Sequence, residues 1–347
     1  MKKSLLALAV LGAFAGVAQA QTNVTLYGIA DVGVASVDDG DERTTSMDSG
    51  RNSASRIGFR GVEDLGGGLK ASFVLENGFD TSTGAQAGDG SAAFSRLAYV
   101  GLGGGFGEVR LGRQNSPIKT ALDVIDPFGG GGVGAAIGYL NLGATPERVS
   151  NQLTYVAPGF GGFTGSVAYT FGETRGESTA NDGLAAQLGY ANGPLAVQLG
   201  FSKFNETDEE AGVPVTFDED VTNILLGGTY DFGMAKLHAG FEHSKIEEDI
   251  AGDELKSRAY LLGVTVPFGA SKIRASYIHN NVRDIDDSDS NVLALSYTYS
   301  LSKRTTFYTT YVRTDNDDLS ALGVDGDELP TAGENGNGIF VGVQHNF

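Results

Sequence analysis

Cysteine and tryptophan are both absent from the 347 residues, and proline is scarce at 8. The lack of cysteine excludes disulfides, thiolate metal sites and cysteine nucleophiles. Basic residues are few: 24 Lys and Arg stand against 43 Asp and Glu, a formal net charge of −19. That balance argues against binding a nucleic-acid backbone. Beyond the first twenty residues no apolar run is long enough for a membrane-spanning helix. Glycine is the residue in excess, at 52 of 347, about twice the usual ~7%. It follows no collagen period, and Tyr and Phe are plentiful, so simple disorder is unsuited to the composition. The length suits two ordinary domains or one large β architecture. Its core needs no staple.

Residues 1–20 read as a cleaved secretory signal peptide. Lys2 and Lys3 precede the apolar run Leu5 to Val17, and Ala18-Gln19-Ala20 is a small-x-small cleavage site. Residues 21–347 then form one domain. They repeat one pattern to the last residue, segments of ~8–12 residues that alternate apolar with small or polar side chains, the period of a strand. Leu195, Val197, Leu199 and Phe201, for example, alternate with Ala196, Gln198, Gly200 and Ser202.

The connections are of two kinds. Seven are short Gly, Asn, Pro or Ser-Lys turns, such as Gly66-Gly67-Gly68 and Asn192-Gly193-Pro194. Eight are long, roughly 36–54, 78–93, 114–147, 173–183, 204–220, 245–257, 280–290 and 314–337. Long and short alternate strictly, so sixteen strands are expected, with both chain ends on the short-turn side. This describes an all-β, sixteen-stranded antiparallel transmembrane β-barrel of the bacterial outer membrane. In lipid no backbone polar group can go unpaired, so the sheet must join its own edges. A soluble β-sandwich is the weaker alternative, because it does not need every long loop on one side.

The end of the chain is a further signal. Ile339, Val341, Val343, His345 and Phe347 alternate to a terminal aromatic, which looks like a recognition tag for the barrel assembly machinery. With no Trp, the interfacial girdles fall to Tyr and Phe, among them Tyr155, Tyr169, Tyr190 and Tyr230.

One long connection does not belong outside. Residues 114–147 carry only Lys119, Asp123, Asp126 and Glu147 as charges, in a run otherwise rich in Gly, Ala, Leu, Ile, Val and Phe. Such a loop should not stand in water, whereas a sixteen-stranded barrel leaves an aqueous channel wide enough to receive it. This third external loop is therefore expected to fold inward, apolar side to the wall, with Asp123 and Asp126 facing the opening. Strand parity then assigns the wall. Ile57 and Phe59 face lipid, so Arg56 and Arg60 face in. Leu97 and Tyr99 face out, so Arg96 faces in. Val109 and Leu111 face out, so Arg110 faces in. Val149, Leu153 and Tyr155 face out, so Arg148 faces in. A lipid-facing Arg would cost ~2–4 kcal/mol at midplane. A basic wall opposite an acidic loop makes a transverse field that filters small hydrophilic solutes and sets ion preference.

The chain resembles the general porins of the Gram-negative outer membrane, of the beta-proteobacterial type. The resemblance rests on Val24-Thr25-Leu26-Tyr27-Gly28, on the run Ser55 to Leu69, on Gly107-Glu108-Val109-Arg110-Leu111-Gly112-Arg113, on Arg148-Val149-Ser150-Asn151 and on Ser302-Lys303-Arg304-Thr305. It implies a homotrimer of barrels, a constricting third loop and passive diffusion, with Arg56, Arg96 and Arg148 at the eyelet. Some such porins prefer anions; the acidic outer loops here depart from a strongly anion-collecting funnel.

The four His residues form no HExxH or other ligand spacing, and no nucleophile elbow or Walker loop occurs. No metal, cofactor or enzymatic role is expected. The acidic run Asp284 to Asp289 lacks the spaced Glu of a calcium loop, although acidic loops could hold divalent ions that bridge to lipopolysaccharide phosphates. The reading is an outer-membrane diffusion porin for ions and small polar solutes. The alternative is a substrate-specific channel for anionic nutrients.

Overall fold

A computed structural model of the chain describes residues 23–40, 42–87, 92–140, 147–172, 182–209, 216–248, 254–325 and 331–347. The expected signal peptide lies outside the described residues. The strands are β1 (Asn23–Asp38), β2 (Arg43–Ser49), β3 (Arg56–Gly66), β4 (Leu69–Gly78), β5 (Leu97–Gly104), β6 (Gly107–Asn115), β7 (Arg148–Val156), β8 (Phe163–Thr170) and β9 (Gly183–Asn192). They continue with β10 (Leu195–Glu209), β11 (Thr216–Asp231), β12 (Lys236–Glu248), β13 (Glu254–Phe268), β14 (Ser271–Val282), β15 (Ser290–Ser300), β16 (Thr305–Asn316) and β17 (Gly336–Asn346). Among the described residues one α-helix, α1 (Pro117–Ile125), and a 3-10 turn, Ala136–Gly138, lie between β6 and β7.

Every ladder is antiparallel, and β1 pairs with β17 to close the sheet on itself. The barrel has sixteen staves although it has seventeen strands, because the second stave is broken. β2 pairs with the upper half of β1, Val32 to Asp38, and β3 with its lower half, Asn23 to Ile29. Residues 50–55 between them leave the ladder. The last residue completes the closure: Gly28 and Phe347 exchange two backbone hydrogen bonds of 3.0 Å. The Phe347 ring lies against Gly28, where a Cβ would collide with it.

The seven short turns fall where the sequence puts them. Several of the long connections are shorter than expected, though the second, between β4 and β5, is longer. The stretch 36–54 is mostly paired strand, and β10, β11, β12 and β13 run several residues into the expected loops. Apolar alternation marks where a strand touches lipid. Above that level water tolerates polar side chains on both faces, and pairing continues without the pattern.

The outer surface carries the apolar half of each alternation, including Leu195, Val197, Leu199, Leu226, Leu262 and Leu293, all solvent-accessible in the isolated chain. Tyr190 packs on Phe163, and Tyr230 on Phe232, near the short turns, while Tyr169 packs on Phe171 at the opposite rim. Rings at both ends suit the two headgroup levels. The wall is uneven: β10 to β13 have 13 to 16 residues each, whereas β5 to β8 have 8 or 9.

The buried apolar cluster lies inside the barrel, between the tall wall and the third loop. It joins Ile118, Ala121, Leu122, Ile125, Phe128 and Tyr139 of the loop to Leu225, Leu261, Ile278, Val292 and Ala294 of the wall.

Candidate functional site

The third loop begins where Ser116 caps α1. Its side chain accepts a hydrogen bond from Lys119 N, and Pro117 occupies the first turn. Ile118, Ala121, Leu122 and Ile125 share one helical face, and that face is buried. Fully burying an Ile or Leu side chain of this face contributes ~1.5–3 kcal/mol. The wall makes room with glycine. A Cβ on Gly200 would stand 2.8 Å from Ile118, and one on Gly263 would stand 2.7 Å from Pro127. His238 Nδ1 lies 3.0 Å from the Ile125 carbonyl at the end of the helix, and Asn280 donates to the Tyr139 carbonyl further on.

Beyond α1 the chain turns sharply around Asp126. This carboxylate accepts from the backbone N–H of Phe128 and Gly130 at 2.9 Å and of Ala136 at 3.1 Å. Asp126 is 3% exposed. The expectation that it faces the opening is therefore corrected: the acid is spent on the loop's own amides. Burial pushes its carboxyl up to about 6, against the opposing pull of those three amides.

Asp123 takes the pore-facing place, ion-paired with Lys119. A cavity of about 1160 Å³ lies between loop and low wall. Arg56, Arg96, Arg148 and Asp123 line it; Arg60, Arg110 and Asp126 do not. Arg60 is four residues nearer the short-turn end than Arg56, about 13 Å along the strand. It stacks over Tyr27 at 5.1 Å. Arg110 sits on Tyr99 at 5.2 Å and is paired with Glu108 at 2.7 Å. Parity tells which face a residue occupies but not its height.

Parity also misread β5. Leu97 and Tyr99 were expected on the lipid face, yet Tyr99 pairs across from Val74 and Gly112, on the inner face, and the outer positions are Val100 and Leu102. Arg96 reaches the cavity because it precedes the strand; its Nε donates to Glu76 at 2.7 Å.

Several lining residues were missed by the sequence reading. Arg113 is one. The ladder shifts between Gly112 and Gln114, Gly112 has φ +126°, and Asn151 opposite has φ +54°. Unbroken alternation from Arg110 would put Arg113 toward lipid, but after this irregularity it lines the cavity with Ser150. A glycine inside a strand pattern was the available signal. Arg51 and Asp325 were also missed. They pair at 3.2 Å and bring the strand break and the eighth connection to the cavity edge.

The arc of four arginines is unevenly neutralised. Arg96 is paired with Glu76 and Arg148 with Glu147, the latter at 2.6 Å. Arg56 donates to Ser53 Oγ, and Arg113 to Ser95 O and Ser150 Oγ. Among the described residues no carboxylate lies within ion-pair distance of either.

Comparison with known proteins decides what this arrangement is. The Gram-negative porin family model matches residues 7–319. The chain belongs to the Gram-negative porin family. It is 39% identical to outer membrane porin protein 32 of Delftia acidovorans, with all of both chains covered. It is 34% identical to an outer membrane porin of Bordetella pertussis, over 89% of this chain and 93% of that one. Among solved structures, an anion-selective porin from Comamonas acidovorans superposes with a TM-score of 0.83 at 33% identity, covering 94% of this chain and all of that one. OmpT of Vibrio cholerae, in its trimer form, shares the fold at TM-score 0.73 and 18% identity, over 94% and 99% of the two chains. This porin is thus an outer-membrane channel for passive diffusion, narrowed by its inward-folded third loop.

Proposed function

We propose that this porin passes small hydrophilic solutes with a preference for anions, set at the cavity between α1 and the low wall. The observation that carries the preference is that two guanidiniums of the arc, Arg56 and Arg113, are held by hydroxyls and a backbone carbonyl rather than by an ion-paired carboxylate, beside the paired Arg96 and Arg148. Fixed charge at a constriction acts at short range and is poorly screened, whereas the acidic surplus in the outer loops sits in open solvent. Asp123, partly offset by Lys119, forms the opposing side. The similar anion-selective porin from Comamonas acidovorans supports the same sign.

The active form is a homotrimer assembled through the low wall, whose outer face has an apolar groove at Phe73, Leu75, Ala98, Val100 and Leu111. Residues 1–20 direct export and 21–347 form the mature barrel. Phe347 engages the assembly machinery before it closes the barrel, and the outer face meets lipid and lipopolysaccharide. The role is that of a channel without catalysis.

Single-channel recording in planar bilayers tests this reading. Replacing chloride by acetate should lower conductance more than replacing potassium by lithium, and conductance should rise linearly with salt. The opposite ordering would reject anion preference. Saturation with blockade by one solute would favour the substrate-specific channel.

A further inference from the structure

Behind the third loop, on the inner face of β14, stands a buried arginine with no place in the cationic arc. Arg274 is 8% exposed. One amino group donates to Ser296 Oγ on the neighbouring strand β15 at 3.1 Å, and also to Asn52 Oδ1 at 2.8 Å. Its guanidinium carbon lies 4.7 Å from the centre of the Phe128 ring. Among the described residues its Nε has no hydrogen-bond partner. The acid that offsets its charge electrostatically is Asp126, at the sharp turn of the loop.

These contacts join three separate pieces of chain. Ser296 belongs to strand β15 of the wall, Phe128 to the third loop, and Asn52 to the break between β2 and β3. The last two also meet directly: Val133 N donates to the Arg51 carbonyl at 2.9 Å, and Gly132 lies against the Asn52 backbone, so that a Cβ there would stand 2.6 Å from it. The break carries Ser53, which holds the Arg56 guanidinium. The loop carries Asp123. The two sides of the eyelet are thus tied to a common post.

We propose that Arg274 is a positioning residue that sets the aperture of the channel, acting through Phe128 and Asn52 and without contacting the solute. Burying a guanidinium with one N–H unmet is costly, and a planar group can stack on a ring while donating along its edge. Met could fill the volume but neither donate nor hold the turn against the break. Without the post, the loop tip retreats toward the wall or rocks over it. This inference rests on the eyelet lying at the described cavity, but not on the sign of its selectivity.

The test is Arg274→Met in the full-length, outer-membrane-expressed porin, with folding checked by heat-modifiable mobility in SDS gels. The expected result is higher single-channel conductance, added current flicker and entry of larger polyethylene glycols, with the reversal potential little changed. Arg274→Lys, which keeps the charge but loses the planar fork, should show the same change in smaller degree. Phe128→Leu and Asn52→Ala cut the two arms separately and serve if Arg274→Met does not assemble. Unchanged conductance and glycol cut-off in folded variants would overturn the proposal. A shifted reversal potential with an unchanged cut-off would overturn it too, since the charge itself would then be acting. A wild-type channel that proved cation-preferring would contradict the proposed selectivity and leave this aperture test intact.

Discussion

Tyr308 donates its hydroxyl to Asp31 Oδ1 across 2.7 Å inside the barrel wall. The other Asp31 oxygen accepts from the backbone N–H of Asn52 at 3.1 Å and of Ser53 at 2.9 Å. This fully buried carboxylate is what turns the strand break inward. Removing one partner from a buried charged group costs about 1.5–3 kcal/mol. Tyr308→Phe should therefore lower the temperature at which the folded band is lost on SDS gels. It should also make the current noisier, because Asn52 and Ser53 position the eyelet. An unaltered melting temperature would remove Asp31 from this role.

The loop's grip on the wall is mainly apolar. Ile125 is fully buried, and its end packs against Gly227 and Gly240. Ile125→Ala should loosen the loop by about 2–5 kcal/mol, the cost of a large-to-alanine change in a packed core. The barrel ladders do not pass through Ile125, so the barrel should still assemble. Conductance should rise, and protease sites within 117–140 should become cleavable in folded protein. Continued protection would contradict the packing.

Outside β5, the apolar register was legible because lipid and wall each demand one face. The inward loop was legible because its residues have too few charges for water. Three things were not. The strand break at 50–55 is held by Asp31, which looks in sequence like any polar residue on an inner face. The reorientation of Arg113 depends on Gly112, whose φ no alternation reveals. Asp126 and Asp123 have the same chemistry and are three residues apart, yet one is consumed by backbone amides and the other meets the pore. Periodicity reports a face, while height and loop folding come from tertiary contacts.

Asp126 gives the pH dependence a sign. Its carboxyl lies at about 6 in the folded protein, above the ~3.9 of an unfolded Asp. The folded state therefore binds the proton more tightly. The associated stability is fully present below about pH 4 and is lost as pH rises through about 6. Going from pH 7.5 to pH 5 should raise the unfolding temperature of the wild type more than that of Asp126→Asn. Equal pH dependence in the two would reject the assignment.

Phe347 shares its backbone hydrogen bonds with Gly28 and covers it. Phe347→Ala keeps the two bonds but removes the ring. The expected outcome is a lower yield of folded protein in the outer membrane, with near-normal conductance in the molecules that do assemble. Normal yield would leave the ring without a part in assembly.

The reversal potential in a KCl gradient tests the central claim most directly. Two arginines that have no ion-paired carboxylate among the described residues, in the cavity that Asp123 also lines, should draw the zero-current potential of the wild type toward the chloride equilibrium. Arg56→Gln and Arg113→Gln should each move it back toward zero. A wild-type potential at zero or on the potassium side would contradict the account.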